Sequence, residues 1–309
     1  MPSPGHTRIV VVGSSNMDLV VRAPRLPARG ETLAGYDFRA VPGGKGANQA
    51  VAAARLGGIV SLVSCVGTDA FGVALHAGFA ADGLDLTHLR RLESVPTGIA
   101  SITVASDGAN SIVLAAGANA ELTPAWVEAS APLFADAALL LCQLEVPIET
   151  VRHAVALAVR NGTPVILNPA PAMPLNRELL ASVDFLVPNE TEAGALCGLA
   201  VTDVDSARRA AGILLALGPR HVIVTLGARG VWLAGPEGGE HLPAFEVTPI
   251  DTTAAGDTFI GGLAVGIAAG YDLRAAIVFG QRAAALSVTR FGAQASIPYR
   301  REVDAFVVS

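Results

Sequence analysis

The chain has 309 residues, of which 51% are hydrophobic and 16% charged, with a formal net charge of −6. That balance excludes a disordered chain, a collagen and a coiled coil, and mild acidity without a basic run excludes an electrostatic footprint for nucleic acid. No window of about 18 residues is free of charged and turn residues, so no membrane span is expected.

Cys65, Cys142 and Cys197 form no CxxC pair, and the six histidines are scattered without an HExxH. A disulfide framework and a zinc site are therefore not expected. The apolar run Ile9–Val12 is too short for a signal peptide, so a reducing cytoplasmic location is expected.

In chain order, the run 8–12 predicts a buried strand that leads into Gly13-Ser14-Ser15-Asn16-Met17-Asp18. The stretch 30–42 alternates roughly, with Glu31, Thr32, Tyr36, Phe38 and Arg39. Next comes Pro42-Gly43-Gly44-Lys45-Gly46-Ala47-Asn48-Gln49, opening a helix predicted over 45–56. A strand over 60–66 and a helix over 71–82 follow. The segment 97–114 predicts a hairpin turning at Asp107-Gly108. Further strands are predicted over 138–144, 164–167, 183–187 and 221–226, with helices over 148–160 and 205–217. Gly57, Gly83, Gly162 and Gly218 stand where four of the helices should stop. A last glycine-rich stretch, Asp251 to Phe259, opens a helix ending near Gly270.

Alternating strands and helices argue an α/β fold with a mostly parallel sheet. The segments 30–42 and 97–114 have no helices to cover them. They predict a small separate sheet beside the core, a candidate lid.

In open α/β sheets, ligands bind outside the carboxyl ends of the strands. At those ends stand Asn16 and Asp18, then Glu145, then Asn189 to Glu192, then Gly227 to Gly230. The 42–49 segment lets a ligand approach the backbone and supplies a cation, Lys45. It is not a Walker A loop, because Arg39 stands where that loop needs glycine and Gly46 follows the lysine. Asp257 lies at a predicted helix start, where backbone N–H groups attract anions. The helix dipole favours the ionised form of a carboxylate there, so it can accept a proton beside a bound phosphate.

These motifs, together with Asn168-Pro169-Ala170-Pro171 and Gly117-Ala118-Asn119, resemble the ribokinase family within the PfkB superfamily of carbohydrate and nucleoside kinases. The similarity runs from about Arg8 to Phe306. It implies a three-layer α/β/α core (1–15, 43–96 and 115–309) and a discontinuous β lid (16–42 and 97–114) that pairs with its mate in a homodimer. The implied reaction moves the γ-phosphoryl group of ATP to O5 of D-ribose. Asp257 is the implied base, and the amides of Ala254, Ala255, Gly256 and Asp257 the implied anion hole. Asn16, Asp18, Gly44, Lys45, Asn48 and Glu145 would hold the sugar. Asn189, Thr225, Leu226, Gly227, Ala228, Gly230, Gly256 and Gln281 would line the ATP site. Glu192 would support Mg²⁺, through water. An activating K⁺ would sit on Asp251 and Ser296 by side chain, and on Thr253, Ser287, Arg290 and Gly292 by carbonyl.

Two positions depart from the superfamily pattern. Ala254 stands where many members carry glycine, which is tolerable if its φ is negative. Gln281 stands where an adenine-contacting His or Asn is common. The alternatives are a deoxyribose, fructose or nucleoside kinase, a sugar-binding sensor without catalysis, and a dinucleotide-dependent oxidoreductase. The last lacks G-x-G-x-x-G after the first strand.

Overall fold

The computed structural model describes residues 8–306; residues 1–7 and 307–309 of the expected core lie outside that range. The strands are β1 (Arg8–Val12), β2 (Asn16–Ala23), β3 (Asp37–Gly43), β4 (Ile59–Gly67), β5 (Leu89–Leu92), β6 (Gly98–Ala105), β7 (Asn110–Ala115), β8 (Leu139–Cys142), β9 (Val165–Leu167), β10 (Phe185–Leu186), β11 (His221–Thr225), β12 (Val231–Gly235) and β13 (Gly238–Leu242). The longer helices are α1 (Lys45–Arg55), α2 (Ala70–Ala81), α3 (Ile148–Asn161), α4 (Glu190–Cys197), α5 (Val204–Leu215), α6 (Ala255–Ala268) and α7 (Leu273–Ser287).

Nine strands form one sheet in the order β13-β12-β11-β10-β9-β8-β1-β4-β5. From β11 to β5 every pairing is parallel, while β12 and β13 add an antiparallel edge. Within β1, Ile9 and Val11 enter one core cluster and Val10 and Val12 the other. Helices therefore cover both faces, which is why the parallel strands read as unbroken apolar runs. Helices α1, α2, α6 and α7 pack on one face, α3 and α5 on the other.

β1 is flanked by β4 and β8, both parallel to it. Chain connections leave in opposite directions there, and a crevice opens at the carboxyl ends of β1 and β8. The candidate site residues gather in this crevice.

A second sheet has the order β3-β2-β6-β7. It joins the core through the site residues: β2 begins at Asn16 just past β1, and β3 ends at Gly43 just before α1. Asn16 pairs with both Gly43 and Gly98. The expected hairpin turn is present, with β6 ending at Ala105 and β7 starting at Asn110.

Several boundaries differ from the sequence expectation. Residues 16–18, into which the first strand leads, are the start of β2. Residues 30–36 do not join β3. The strand expected over 183–187 narrows to two residues, because its ladders to β9 and β11 span only that pair. The β12–β13 hairpin is absent from the sequence reading, since Gly238-Gly239-Glu240-His241 carries no apolar run and is mostly exposed. Among the described residues no helix is long and apolar enough to cross a membrane.

Candidate active site

The carboxyl ends of β1 and β8 are joined by Glu145. Its Oε2 accepts from Ser14 Oγ (2.6 Å) and from the backbone N–H of Lys45 (3.0 Å). One carboxylate thus ties the β1 turn to the start of α1. Asn16 is held by Asn119, whose Nδ2 donates to Asn16 Oδ1 (2.7 Å) while its Oδ1 accepts from Ser15 N–H (2.8 Å). Gly44 caps α1 with φ +87°, and a Cβ there would lie 2.7 Å from the Asn16 backbone nitrogen. Glycine is required on both counts. A cavity of ≈ 300 Å³ is lined by Asn16, Asn119, Glu145 and the apolar Leu114, Leu144 and Pro171 among others.

Helix α1 sends Lys45, Asn48 and Gln49 into the crevice. Lys45 is the sole lysine of the sequence. Burial pulls its ammonium down, but the carboxylates of Asp257, Glu145, Glu192 and Asp18 outweigh it and hold the pKa above the ordinary 10.5. The same cluster acts on Asp18, where burial first, then repulsion from Glu145 and Asp257, push the carboxyl up to about 7 against Lys45.

Asp257 is the third residue of α6 and only 8% exposed. Gln49 Nε2 donates to its Oδ1 (2.9 Å) and Asn48 Nδ2 to its Oδ2 (3.0 Å). Burial, helped by Glu145, raises its carboxyl above the ordinary 3.8 on balance, although Lys45, Asn48 and Gln49 pull down. Gln49 and Asn48 are further anchored by Gln143 (2.6 Å) and Gln294 (3.0 Å).

The condition for alanine at 254, a negative φ, is not met: Ala254 caps α6 at φ +58°, ψ 13°. It is the sole non-glycine with positive φ among the described residues. The left-handed cap bends the chain so that α6 begins abruptly after the 251–253 turn. The amide of Ala255 reaches Thr252 O (3.2 Å). Those of Gly256 and Asp257 meet no acceptor among the described residues. A Cβ on Gly256 would touch nothing within 4 Å, so this face is open to a ligand.

Beside this entry, Asp251 Oδ1 accepts from Thr253 N–H and Oγ1, and Oδ2 from Gly292 N–H (3.0 Å). Burial works upward on Asp251, but these bonds outweigh it and hold its carboxyl below the usual 3.8. Asp251, Thr253 and Gly292 are thus brought together. Ser287 and Ser296 are buried and donate to Ala284 O and Ala293 O (both 2.8 Å). Arg290 pairs with Glu302 (2.7 Å) through its side chain.

At the other end of the crevice, Asn189 and Glu192 form a capping box on α4. Glu192 Oε2 and Oε1 accept from Asn189 N–H (2.9 Å) and Nδ2 (3.0 Å). Burial raises the Glu192 carboxyl, with Asn189 and Lys45 opposing. Asn189 bridges to Thr225 at the end of β11. Past it, Gly227 and Ala228 are exposed, whereas Leu226 is packed into the core. The need for glycine at 230 is steric, since a Cβ would lie 2.1 Å from Leu242 O. Gln281 Nε2 donates to Leu242 O and Pro243 O (both 3.1 Å), so its amide hydrogens brace this wall.

Sequence reasoning missed Gln49, Gln143, Asn168 and Gln294 as parts of the site. Gln49 and Asn168 stand inside quoted motifs, and that was their one signal. Gln143 and Gln294 gave none.

A buried carboxylate at a helix start, beside amides that meet no acceptor among the described residues and a cluster of carboxylates and side-chain amides, is an arrangement suited to phosphoryl transfer to an alcohol. The comparisons agree. The pfkB family carbohydrate kinase pattern matches residues 6–300, and the chain belongs to this family. It is 46% identical to ribokinase of Haemophilus influenzae over 97% of this chain and 98% of that one. Deoxyribokinase of Salmonella typhi is 38% identical over 97% and 98%. The structure of Arabidopsis thaliana ribokinase complexed with ribose and ATP aligns with TM-score 0.90 at 33% identity, covering 97% and 98% of the two chains.

Proposed function

We propose that this chain transfers the γ-phosphoryl group of ATP to O5 of D-ribose, giving D-ribose 5-phosphate and ADP. The observation that carries the reading is Asp257, buried at the start of α6 between two amides and facing Lys45 and the carboxylate cluster. Asp257 takes the O5 proton as O5 bonds to the γ-phosphorus and the bond to ADP breaks. Such transfers need positioning and charge stabilisation more than covalent chemistry. The unpaired amides of Gly256 and Asp257, with Ala254 and Ala255 shaping the turn, receive the charge on the transferring group.

Both carboxylate oxygens of Asp18, Oε1 of Glu145, Nδ2 of Asn16 and the second Nδ2 hydrogen of Asn48 remain to address neighbouring hydroxyls, the other polar atoms of these side chains being held within the protein. Lys45 and the open face of Gly44 complete the pocket. Asn189, Thr225 and the exposed turn Gly227–Ala228 take the nucleotide, with Leu226, Gly230 and Gln281 supporting its wall. Glu192 already accepts from Asn189, so a hard divalent cation that keeps its waters, Mg²⁺, suits it through water. That ion would neutralise phosphate charge. The ionised Asp251, bonded to Thr253 and Gly292, suits a K⁺ that orders the α6 entry, with Ser287, Arg290 and Ser296 as the further proposed ligands.

The second sheet serves as a lid over the crevice. Its exposed Phe38, Ile112, Val113 and Leu114 suit pairing with the lid of a second copy, which would also cover its edge strands. A cytoplasmic location suits ATP-dependent chemistry.

ADP release from Mg·ATP with D-ribose, 2-deoxy-D-ribose, D-fructose and adenosine tests the reading. Turnover with D-ribose, raised by K⁺, is the expected result. Preference for 2-deoxy-D-ribose would favour the deoxyribokinase-like reading, which the similarity to the Salmonella typhi protein makes the nearest rival. Silence with every acceptor, in a protein that binds ribose, would leave a sugar sensor.

A further inference from the structure

Gln49 is fully buried on α1, one residue from Asn48. Its amide makes three hydrogen bonds. Nε2 donates to Asp257 Oδ1 (2.9 Å) and to Asn168 Oδ1 (3.1 Å), and Oε1 accepts from Gln143 Nε2 (2.6 Å). These use both of its hydrogens and its oxygen. The orientation is unique, since a flipped amide would set oxygen against the Asp257 carboxylate and the Asn168 carbonyl.

We propose that Gln49 is a positioning residue for Asp257, fixing the carboxylate's orientation and favouring its ionised form without touching the sugar. The inference rests on the reading of Asp257 as the base.

The anchors of Gln49 come from separate parts of the fold. Gln143 directly follows β8, and Asn168 directly follows β9. Asn168 Nδ2 donates in turn to Val187 O (2.9 Å) and lies 3.5 Å from Glu192 Oε2. One amide chain therefore joins the proposed base to the carboxylate at the phosphate end of the crevice. Chains of buried amides polarise one another and hold a single geometry.

The network carries a cost in stability. Gln143 Oε1 is buried without a partner, pressed against Gly13, where a Cβ would lie 2.1 Å away. Orphaned buried acceptors destabilise a fold and call for an explanation. Here the amide of Gln143 is committed to aiming Gln49. Asn48, the other donor to Asp257, stands in the proposed sugar pocket, so Gln49 is the donor whose loss leaves sugar contacts in place.

The test is steady-state kinetics with D-ribose and Mg·ATP between pH 5 and 9 for the parent, Gln49→Met, Gln49→Glu and Asp257→Asn. Methionine keeps the length and loses the donor. Loss of a hydrogen bond to a charged group predicts a kcat of Gln49→Met lower by about 10- to 100-fold. KM for ribose should stay within about threefold, and the acid limb of kcat should move up by about one pH unit. Gln49→Glu keeps the acceptor for Gln143 but sets a carboxylate against Asp257, so its limb should move further. Should Gln49→Met fail to fold, Gln49→Glu reads the same limb. An unmoved limb with kcat within threefold of the parent overturns the proposal, as does a kcat loss that merely tracks loss of folded protein. An inactive Asp257→Asn beside a normal Gln49→Met removes the positioning role alone. Full activity in Asp257→Asn removes the base assignment, and the role of Gln49 with it.

Discussion

The carboxylate of Asp18 fills the space that a side chain on Gly43 would need: a Cβ there would lie 2.2 Å from Asp18 Oδ2. The two residues face one another at the junction of the second sheet with α1. Gly43→Ala must therefore swing the Asp18 side chain away while leaving the backbone fold intact. Loss of the charge-assisted bonds proposed between Asp18 and a sugar hydroxyl predicts a KM for ribose raised by about 10-fold or more. Circular dichroism and ribose titration check this, and an unchanged KM contradicts it.

Asp18 also predicts a pH dependence. Its carboxyl is raised from 3.8 to about 7, chiefly by burial. Between those values the folded state binds a proton that the unfolded chain has released, so stability falls as pH rises through the window. Asp18→Asn removes that loss. Its stability advantage over the parent should be small near pH 4, grow towards pH 7 and then level off, as read by urea denaturation. Ribose hydroxyls that donate to Asp18 favour its ionised form, so kcat/KM for ribose should fall as pH drops below about 7.

Ala254 holds a left-handed conformation at φ +58°. That costs an L-residue about 1–2 kcal/mol, while glycine would surrender about 0.5–1 kcal/mol of chain entropy. Ala254→Gly should therefore stabilise the protein by up to about 1 kcal/mol with turnover close to the parent's. Denaturant titration decides, and a destabilised variant contradicts the geometry of the α6 entry.

Because Lys45 is the sole lysine, labelling with [¹⁵Nζ]-lysine gives one side-chain resonance. Its ammonium is held above the ordinary 10.5, with Asp257 the first of the carboxylates that raise it. Asp257→Asn should lower the titration midpoint of that resonance. An unmoved midpoint would mean that the two groups are not coupled.

Much of this was legible in the sequence. The runs 8–12 and 221–226 announced buried parallel strands, and Asp107-Gly108 announced its hairpin. The glycine motifs at 42–49 and 251–257 marked both helix entries of the site. What was not legible depends on contacts between distant segments. The Gln49–Asp257 bond spans 208 positions and the Gln294–Asn48 bond 246, and no local period encodes either. The β12–β13 edge was hidden because an exposed antiparallel hairpin needs no apolar run. The sign of φ at Ala254 was not legible because alanine ordinarily avoids that region; the turn into α6 imposes it.

The proposed base, Asp257, deprotonates O5 of ribose and no other hydroxyl. The most direct measurement is ³¹P and ¹H NMR of the product formed from Mg·ATP and D-ribose by the parent and by Asp257→Asn. Phosphate on O5 alone is expected, with turnover in the variant lower by about 10²- to 10⁴-fold. Phosphate on another hydroxyl, or parent-like turnover in Asp257→Asn, would contradict it.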